Sequence, residues 1–557
     1  MHTKPDLEGG MAARGRMSSE FRSSHFDSGS NQMVKVIIQY KQSLLNTQEA
    51  PGEHEMRAQG ATVHARLGTI RAVAMRVPAW MIPQIAKNPN VAYITPDRAV
   101  AMTSDNDEDN GSAVGRDVAA SQYSFDGTGI GVAVIDSGVS DHPDLHDANG
   151  NSRVVYNQSF VAGDPSAADK FGHGTHVAGV IAGNGISSAS GTGYAMRHTG
   201  IAPNVNIINL RVLDQNGAGT DSQTIAAIQQ AIALKSTYNI RVINLSLGRG
   251  IWESYTLDPL CQAVEAAWNA GIVVVVAAGN SGRDNSMGTH GYATIAAPGN
   301  DPYVLTVGAT RTMGTATRAD DFKASFSSKG PTLMDHIVKP DLVAPGNRIS
   351  SLRVAGSTLD TTYSQFQDGS ANGGTAMYFQ LTGTSQATPV VAGAVALLAQ
   401  QNSALTPDQI KARLMKTAWK GFGMHSSAMD RHGNSYSDQY DVFSYGAGYL
   451  DVAAALANTD LSAGAALSPT ATKDLLGNVY LSNTQITGTS VVWGSSVVWG
   501  SSVVWGHNAL LSNSVVWGSS VVWGSVLQTG YSVVWGQSVV WGSHDSTAFS
   551  IDDGGDN

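Results

Sequence analysis

In the N-terminal part of the chain, short apolar runs alternate with segments that have a helical pattern. Three runs are typical of strands: VKVIIQY (34–40), RAVAMRV (71–77) and VAYIT (91–95). The segment AWMIPQIAK, between the second and third runs, has the apolar pattern of a helix. These elements predict a small α+β domain over residues 34–100. The polar residues before it, 1–33, predict a disordered leader.

A longer stretch, residues 115–460, has a different pattern. Five runs are apolar at nearly every position: GVAVID, VNIINLRVL, RVINLSLG, GIVVVVAAGN and YVLTVGAT. Helical segments such as AAIQQAIALK and LCQAVEAAWNA lie between them. Strands that are apolar on both faces are covered by helices on both faces, so the pattern predicts an α/β domain with a doubly wound, mostly parallel sheet. Functional residues are then expected at the carboxyl ends of the strands.

The C-terminal part of the chain is repetitive. Residues 478–543 divide into eleven hexapeptides, and seven of these contain VVWG. The array has no Asp, Glu, Lys or Arg and is rich in Val and Trp, which favours β structure and self-association. Disordered low-complexity sequence and a stacked-β or adhesion element both remain open, and the partner of this tail is unknown. Residues 461–477 are interpreted as a linker, and 544–557 as an acidic end.

Composition narrows the classes of function. The 557 residues carry a formal net charge of −10, and no cluster of Lys and Arg is present, so we expect no nucleic-acid partner. The single cysteine, Cys261, excludes an intramolecular disulfide framework and a cysteine-built zinc site. No run of about 18 apolar residues is present, so we expect no membrane-spanning helix.

Three glycine-framed segments carry candidate catalytic residues. They are GVAVIDSGVSDHPDL around Asp136, FGHGTHVAGVIAG around His173 and LTGTSQATPVVAGAVALL around Ser385. Taken singly, an Asp after a strand or a Ser before a helix is more often a cap, and a lone His is more often structural. Taken together, and in this order, the three segments resemble the subtilisin-like serine peptidases. The resemblance covers roughly residues 115–460.

The resemblance implies a serine endopeptidase that acts on protein and peptide substrates without a cofactor. A serine hydroxyl needs a base, so Ser385 is expected to be the nucleophile, His173 the base and Asp136 the group that orients the imidazole. The other histidine of HGTH, His176, is expected to be structural. The resemblance assigns Asn280 to the oxyanion hole, together with the backbone N–H of Ser385.

The resemblance also implies a substrate-binding edge with small residues. Its positions are Ser246, Leu247, Gly248, Ala277, Ala278 and Gly279. They predict a roomy pocket that favours apolar P1 side chains. Two positions depart from the commonest family pattern, because Gln386 stands where Met is usual and Val390 where His is common. Asp144, in HPDL, matches a calcium ligand of several family members, so a structural Ca²⁺ is a further expectation there.

The α+β domain is similar to the inhibitory propeptides of this family, which fold as β-α-β-β-α-β units and leave their tail in the active site. The chain is therefore expected to be a zymogen that cleaves itself within the acidic linker, residues 101–114. A propeptide favours an extracellular or cell-surface location, although no apolar signal segment is visible in residues 1–33.

Three other hypotheses compete with this one. The chain could be a catalytically idle binding or adhesion protein that acts through the repeat tail. An acid-acting sedolisin should lack HGTH, and an α/β-hydrolase should have G-x-S-x-G, whereas here the serine lies in GTSQA.

Overall fold

The protein is described by a computed structural model. The described residues are 15–22, 30–42, 49–101, 113–286, 288–369, 372–422, 425–430, 433–473, 479–482, 497–499 and 503–505. Most of the predicted acidic linker, most of the repeat tail and the acidic C-terminal end lie outside these residues.

The N-terminal module has the element order β-α-β-β-α-β. Its elements are β1 (Met33–Tyr40), α2 (Glu53–Ala58), β2 (Thr62–Leu67), β3 (Ala72–Pro78), α3 (Ile82–Ile85) and β4 (Val91–Pro96), preceded by the short helix α1 (Ser19–Arg22). The antiparallel sheet has the strand order β2-β3-β1-β4. Side chains alternate along β1, so Val36 and Ile38 enter the core of the module while Ile37 faces the larger unit.

The leader predicted as disordered has an ordered part. Met17 forms a parallel bridge with Ile94 of β4, and Met17 and Phe21 are buried in the core of the module. Residues 15–22 therefore extend the module, because two apolar side chains in an otherwise polar segment find a place beside its sheet edge.

The larger unit is built on one twisted sheet, as the apolar runs predicted. Seven strands run parallel in the order β7-β8-β6-β10-β11-β12-β14, and the two-residue β13 pairs antiparallel with β12. The strands are β6 (Gly131–Asp136), β7 (Val154–Ser159), β8 (Asn206–Arg211), β10 (Ile240–Leu245), β11 (Val273–Ala277), β12 (Leu305–Arg311), β13 (Phe322–Lys323) and β14 (Leu342–Pro345).

Helices cover both faces of this sheet. The longer ones are α4 (Arg116–Tyr123), α5 (His173–Ala182), α6 (Asp221–Tyr238), α7 (Pro259–Asn269), α9 (Thr384–Gln401) and α10 (Pro407–Thr417). Alternate residues of β6 serve opposite faces: Val132 and Val134 belong to the core that holds α5 and α9, while Ala133 and Ile135 belong to the core that holds α6 and α7. This double coverage explains why the strands read as continuous apolar runs.

The remaining described elements are short. They are β5 (Ala99–Ala101), β9 (Ala218–Thr220), β15 (Ile349–Leu352), α8 (Thr358–Thr362), β16 (Gln367–Asp368), β17 (Tyr378–Leu381), β18 (His425–Met429), β19 (Ser435–Gln439), α11 (Val442–Tyr445), α12 (Val452–Ala457), β20 (Thr470–Lys473), β21 (Val479–Ser482), β22 (Val497–Trp499) and β23 (Val503–Trp505). The last two pair antiparallel and come from adjacent VVWG units. Among the helices of the described residues, none is long and apolar enough to cross a membrane.

The module lies against α6 and α7 of the larger unit. Ile37, Leu67 and Ala72 share one buried cluster with side chains of these helices. After β4 the chain continues along the larger unit, where β5 pairs antiparallel with β9 and Val100 is opposite Gly219. Residues 99–101 thus form a two-stranded sheet with residues 218–220 of the larger unit.

Candidate active site

The three predicted catalytic residues lie at the ends of buried elements. Asp136 is the last residue of β6, His173 is the first residue of α5, and Ser385 is the second residue of α9. His173 Nδ1 lies 2.9 Å from Asp136 Oδ1, and neither side chain is exposed. The carboxylate therefore accepts a hydrogen bond from Nδ1–H of the imidazole, which leaves Nε2 as the acceptor nitrogen of the neutral ring.

His173 and Asp136 are close because the start of α5 packs directly against the end of β6. A Cβ atom on Gly174 would lie 2.1 Å from the Gly138 carbonyl oxygen and 3.2 Å from Asp136 Cβ. Gly172, just before the helix, has φ of 109°, a value that disfavours any residue with a side chain. The two glycines of GHG therefore set the approach of His173 to Asp136.

Asp169 is a supporting residue that the sequence reasoning missed. Its Oδ1 accepts hydrogen bonds from the backbone of Phe171 and Gly172, and its Oδ2 accepts one from Thr175 N at 2.8 Å. Oδ1 also accepts from Ser137 Oγ, which itself accepts from Gly174 N. Burial raises the pKa of Asp169, and these donors oppose that rise. An Asp four residues before a helix-opening histidine was the available signal.

The start of α9 lies against the other side of the imidazole. Gln386, which follows Ser385, places its Nε2 3.1 Å from His173 Nε2. Ser385 is 1% exposed, and its Oγ donates a hydrogen bond to the Ser246 carbonyl oxygen at 2.9 Å. Ser246 Oγ in turn donates to the Ser385 carbonyl oxygen at 2.7 Å. The predicted nucleophile is thus fixed to the end of β10, beside the residue that contacts the predicted base.

His176 lies three residues further along α5. Its Nε2 bonds to the Ile349 carbonyl oxygen at 3.0 Å, and burial lowers its pKa to about 3. A histidine with so low a pKa is neutral at physiological pH, and its contact ties α5 to β15.

Asn280 is anchored by the residue before Ser385. Its Oδ1 accepts hydrogen bonds from Thr384 N at 2.9 Å and from Thr384 Oγ1 at 2.8 Å. Thr384 Oγ1 also accepts from Gly279 N at 3.1 Å. Because its carbonyl end is held in this way, the amide –NH₂ of Asn280 is the end left for a ligand. Thr384 is a second contributor whose role the sequence motifs do not predict.

The predicted substrate-binding residues form two neighbouring segments, 246–248 and 277–279. The backbone of Ala296 and Ala297 lies between the two segments. Ala296 N donates to the Ala278 carbonyl oxygen, and the backbone N–H and C=O of Ala297 both bond to the backbone of Arg249. A Cβ on Gly248 would lie 3.0 Å from Ala296 Cβ and from the Ala297 oxygen. Ser246, Leu247, Ala277 and Ala278 are buried, and the Leu247 side chain packs into the core with α6 and α7.

Asp144 is buried and already accepts two hydrogen bonds. Its Oδ1 accepts from Ser187 N at 2.9 Å and its Oδ2 from the Tyr378 hydroxyl at 2.6 Å. Over the described residues, no group of three or more His, Cys, Asp or Glu side chains is arranged to hold a metal ion. Both carboxylate oxygens of Asp144 thus accept hydrogen bonds from the protein, and the assignment of a calcium ligand at Asp144 stays a prediction.

Comparisons with known proteins give the family of the chain. The Subtilase family profile matches residues 127–448. The chain is 35% identical over 388 residues to Serine protease AprX from Bacillus subtilis (strain 168), covering 68% of this chain and 82% of the relative. It is 33% identical over 386 residues to Subtilisin E from the same organism, covering 69% of this chain and 85% of the relative.

A solved structure shares the fold. The crystal structure of fervidolysin from Fervidobacterium pennivorans, described as a keratinolytic enzyme related to subtilisin, matches with a TM-score of 0.54 at 24% sequence identity. The match covers 77% of this chain and 62% of that one. The family profile spans more than half of the chain, and both Bacillus relatives exceed 30% identity over two thirds of it. The chain therefore belongs to the subtilase family and is a subtilisin-like serine endopeptidase.

Proposed function

We propose that Ser385, His173 and Asp136 perform acyl transfer on protein substrates. Ser385 Oγ attacks the scissile carbonyl while His173 Nε2 takes the hydroxyl proton, and the same nitrogen then protonates the leaving amine. Asp136 keeps Nε2 as the acceptor and stabilises the imidazolium. The observation that carries the proposal is the buried 2.9 Å contact between His173 Nδ1 and Asp136 Oδ1. Water then hydrolyses the acyl-enzyme by the reverse sequence.

The oxyanion of the tetrahedral intermediate needs preorganised donors. We assign this role to the Asn280 side-chain amide and the backbone N–H of Ser385. The contacts of Thr384 with Asn280 support the assignment, because they fix the amide before substrate arrives and so avoid reorganisation during the reaction.

The substrate pocket is proposed to accept large apolar P1 side chains. Ser246, Gly248, Ala277, Ala278 and Gly279 have small or no side chains, which leaves room beside Ser385. No acidic residue is present in either segment to pair with a basic P1 side chain, which would require a buried counter-charge.

The module at residues 34–100 is proposed to be an inhibitory propeptide, as part of a self-processing zymogen that acts outside the cell. Two contacts support the proposal, because they hold the segment after β4 on the larger unit. β5 pairs with β9 as an added peptide strand would, and Asp97 accepts from Ser222 N and Oγ at 2.8 and 2.6 Å. The chain that leaves β5 enters the acidic linker, where self-cleavage is proposed.

The test is the Ser385→Ala variant, compared with the wild type. We expect the variant to hydrolyse casein at least 1000-fold more slowly, because removing the nucleophile leaves only the residual catalysis of the remaining site. It should also accumulate as an uncleaved precursor, and a serine-directed phosphonyl fluoride should label the wild type alone. A peptide panel run with the wild type should favour Phe or Leu over Arg or Lys at P1. Normal maturation of the purified variant would rule out self-processing, and normal casein hydrolysis would rule out the triad.

A further inference from the structure

Gln386 contacts the proposed base directly. Its side chain is fully buried, and its Nε2 lies 3.1 Å from His173 Nε2. Its Oε1 has no hydrogen-bond partner within the described part of the chain. Among the described residues, the Gln386 amide is therefore satisfied at its –NH₂ end, through the imidazole, and not at its carbonyl end.

The protonation state of the imidazole fixes the direction of this hydrogen bond. The Nδ1–H of the neutral ring donates to Asp136, so Nε2 has a lone pair and no proton. The Gln386 amide nitrogen is a donor, and it therefore donates to that lone pair. The lone pair is the one that must accept the Ser385 proton during acylation.

We propose that Gln386 is a positioning residue that restrains the base, because it occupies His173 Nε2 in the resting enzyme and must release it before Ser385 can react. The inference rests on the proposed function of His173 and Ser385. It means that Gln386, the residue after the nucleophile, competes with Ser385 for the acceptor nitrogen of His173.

The restraint exists in the ground state alone. In the transition state Nε2 is shared between Ser385 Oγ and the leaving amine, so the Gln386 bond must be broken. An interaction made with the ground state and lost in the transition state lowers kcat. A buried neutral hydrogen bond of ordinary net strength corresponds to a factor of about two to ten in rate.

The experiment compares Gln386→Met and Gln386→Asn with the wild type. Met keeps the volume without a donor, and Asn is too short by one methylene to reach His173. We expect kcat on a chromogenic peptide to rise by about two- to tenfold in both variants with KM unchanged, because the bond to Nε2 is lost in each. Active sites are counted by titration with the phosphonyl fluoride, so that differences in folding or maturation do not enter kcat.

Gln401→Met is the matched control. Gln401 lies at the C-terminal end of the same helix and donates to the Leu456 carbonyl at 2.8 Å, so the same substitution there should leave kcat unchanged. A kcat at or below the wild-type value in both Gln386 variants, with wild-type thermal unfolding in either one, would overturn the restraint. If the restraint is overturned in this way but Ser385→Ala is inactive, the proposed catalytic triad still stands. An active Ser385→Ala would contradict both the triad and the restraint by Gln386.

Gln386→Glu separates a contact with the base from a packing role. A carboxylate at this place attracts a protonated imidazole, so activity should require a higher pH and the acid limb of kcat/KM should shift upward. Other titratable groups face the ring or the turn that carries it: Asp136 at Nδ1, His176 one turn along α5, and Asp169 beneath the helix start. They are common to both enzymes, so an unshifted acid limb would contradict the contact.

Discussion

Asp169 accepts hydrogen bonds from the backbone N–H groups at the start of α5. It does not touch the predicted triad, and it lies outside the three glycine-framed segments. It accepts three backbone N–H groups and one hydroxyl, and its charge lies at the positive end of the helix that carries His173. We predict that Asp169→Asn lowers the free energy of unfolding by about 2 to 4 kcal/mol. The –NH₂ group of Asn would replace one carboxylate oxygen and would face a donor that it cannot bond. Urea denaturation in the Ser385→Ala background, which avoids self-digestion, measures this.

The same substitution at Asp141 is the control, because that side chain is 76% exposed and contacts His146 alone among the groups described for it. Asp141→Asn should change the free energy of unfolding by less than about 0.5 kcal/mol. Equal losses in the two variants would show that the Asp169 contacts do not stabilise the helix start.

At the scale of elements, the distance between α5 and β6 sets the geometry of the site. A methyl group on Gly174 would collide with the Gly138 carbonyl oxygen and approach Asp136. A backbone carbonyl cannot move aside without displacing the segment that carries it. We therefore predict that Gly174→Ala displaces the helix start and lowers kcat/KM by about 100-fold or more. The measurement is peptide hydrolysis per titrated active site.

Gly374→Ala provides the comparison, since a Cβ at that position meets no atom within 4 Å. It should leave kcat/KM within about twofold of the wild type. Wild-type activity in Gly174→Ala would mean that the helix and strand can separate without disturbing His173 and Asp136.

Elements with a strong local pattern could be predicted from the sequence, and contacts between distant segments could not. Local patterns predict the apolar runs of β6, β10 and β11 and the glycine-framed starts of α5 and α9. By contrast, β5 and β9 have three residues each, and neither has a pattern of its own; they form because the chain beyond β4 passes beside residues 218–220. The contact of Gln386 with His173 joins residues 213 positions apart, and no local signal reports it.

The module and the larger unit are joined by a buried charge network. Arg98, on the segment after β4, pairs with Glu20 of the leader at 2.5 Å and with Glu253 of the larger unit at 2.8 Å. Behind them, Arg249 bonds to Asp221 and Asp258. Four carboxylates, of which Glu20 is partly exposed, thus face two guanidinium groups, which leaves a surplus of carboxylates over cations near the junction.

This surplus gives the whole molecule a dependence on pH. Burial at the junction raises the pKa of Glu253, which contacts Arg98 and Tyr93 of the module, and the pKa of Asp97, which contacts Ser222 of the larger unit. Because these contacts cross the junction, separation of the module exposes both carboxyls. A carboxyl whose pKa is higher in the joined state than in the separated one favours joining when it is protonated. Its contribution is complete below the ordinary carboxyl range near 4 and is lost as the pH rises through the raised pKa. The module should therefore be held more tightly in acid.

We predict that the cleaved module co-elutes with the larger unit at pH 5 and separates from it increasingly up to pH 8. The wild type is allowed to mature, is inactivated with the phosphonyl fluoride, and is then run on size-exclusion chromatography at each pH. Glu253→Gln keeps the hydrogen-bonding shape but cannot ionise, so its retention should depend less on pH. Retention that grows with pH would mean that the attraction between Arg98 and ionised Glu253 outweighs the cost of burying the surplus charge, because only an ionised carboxylate strengthens that pair.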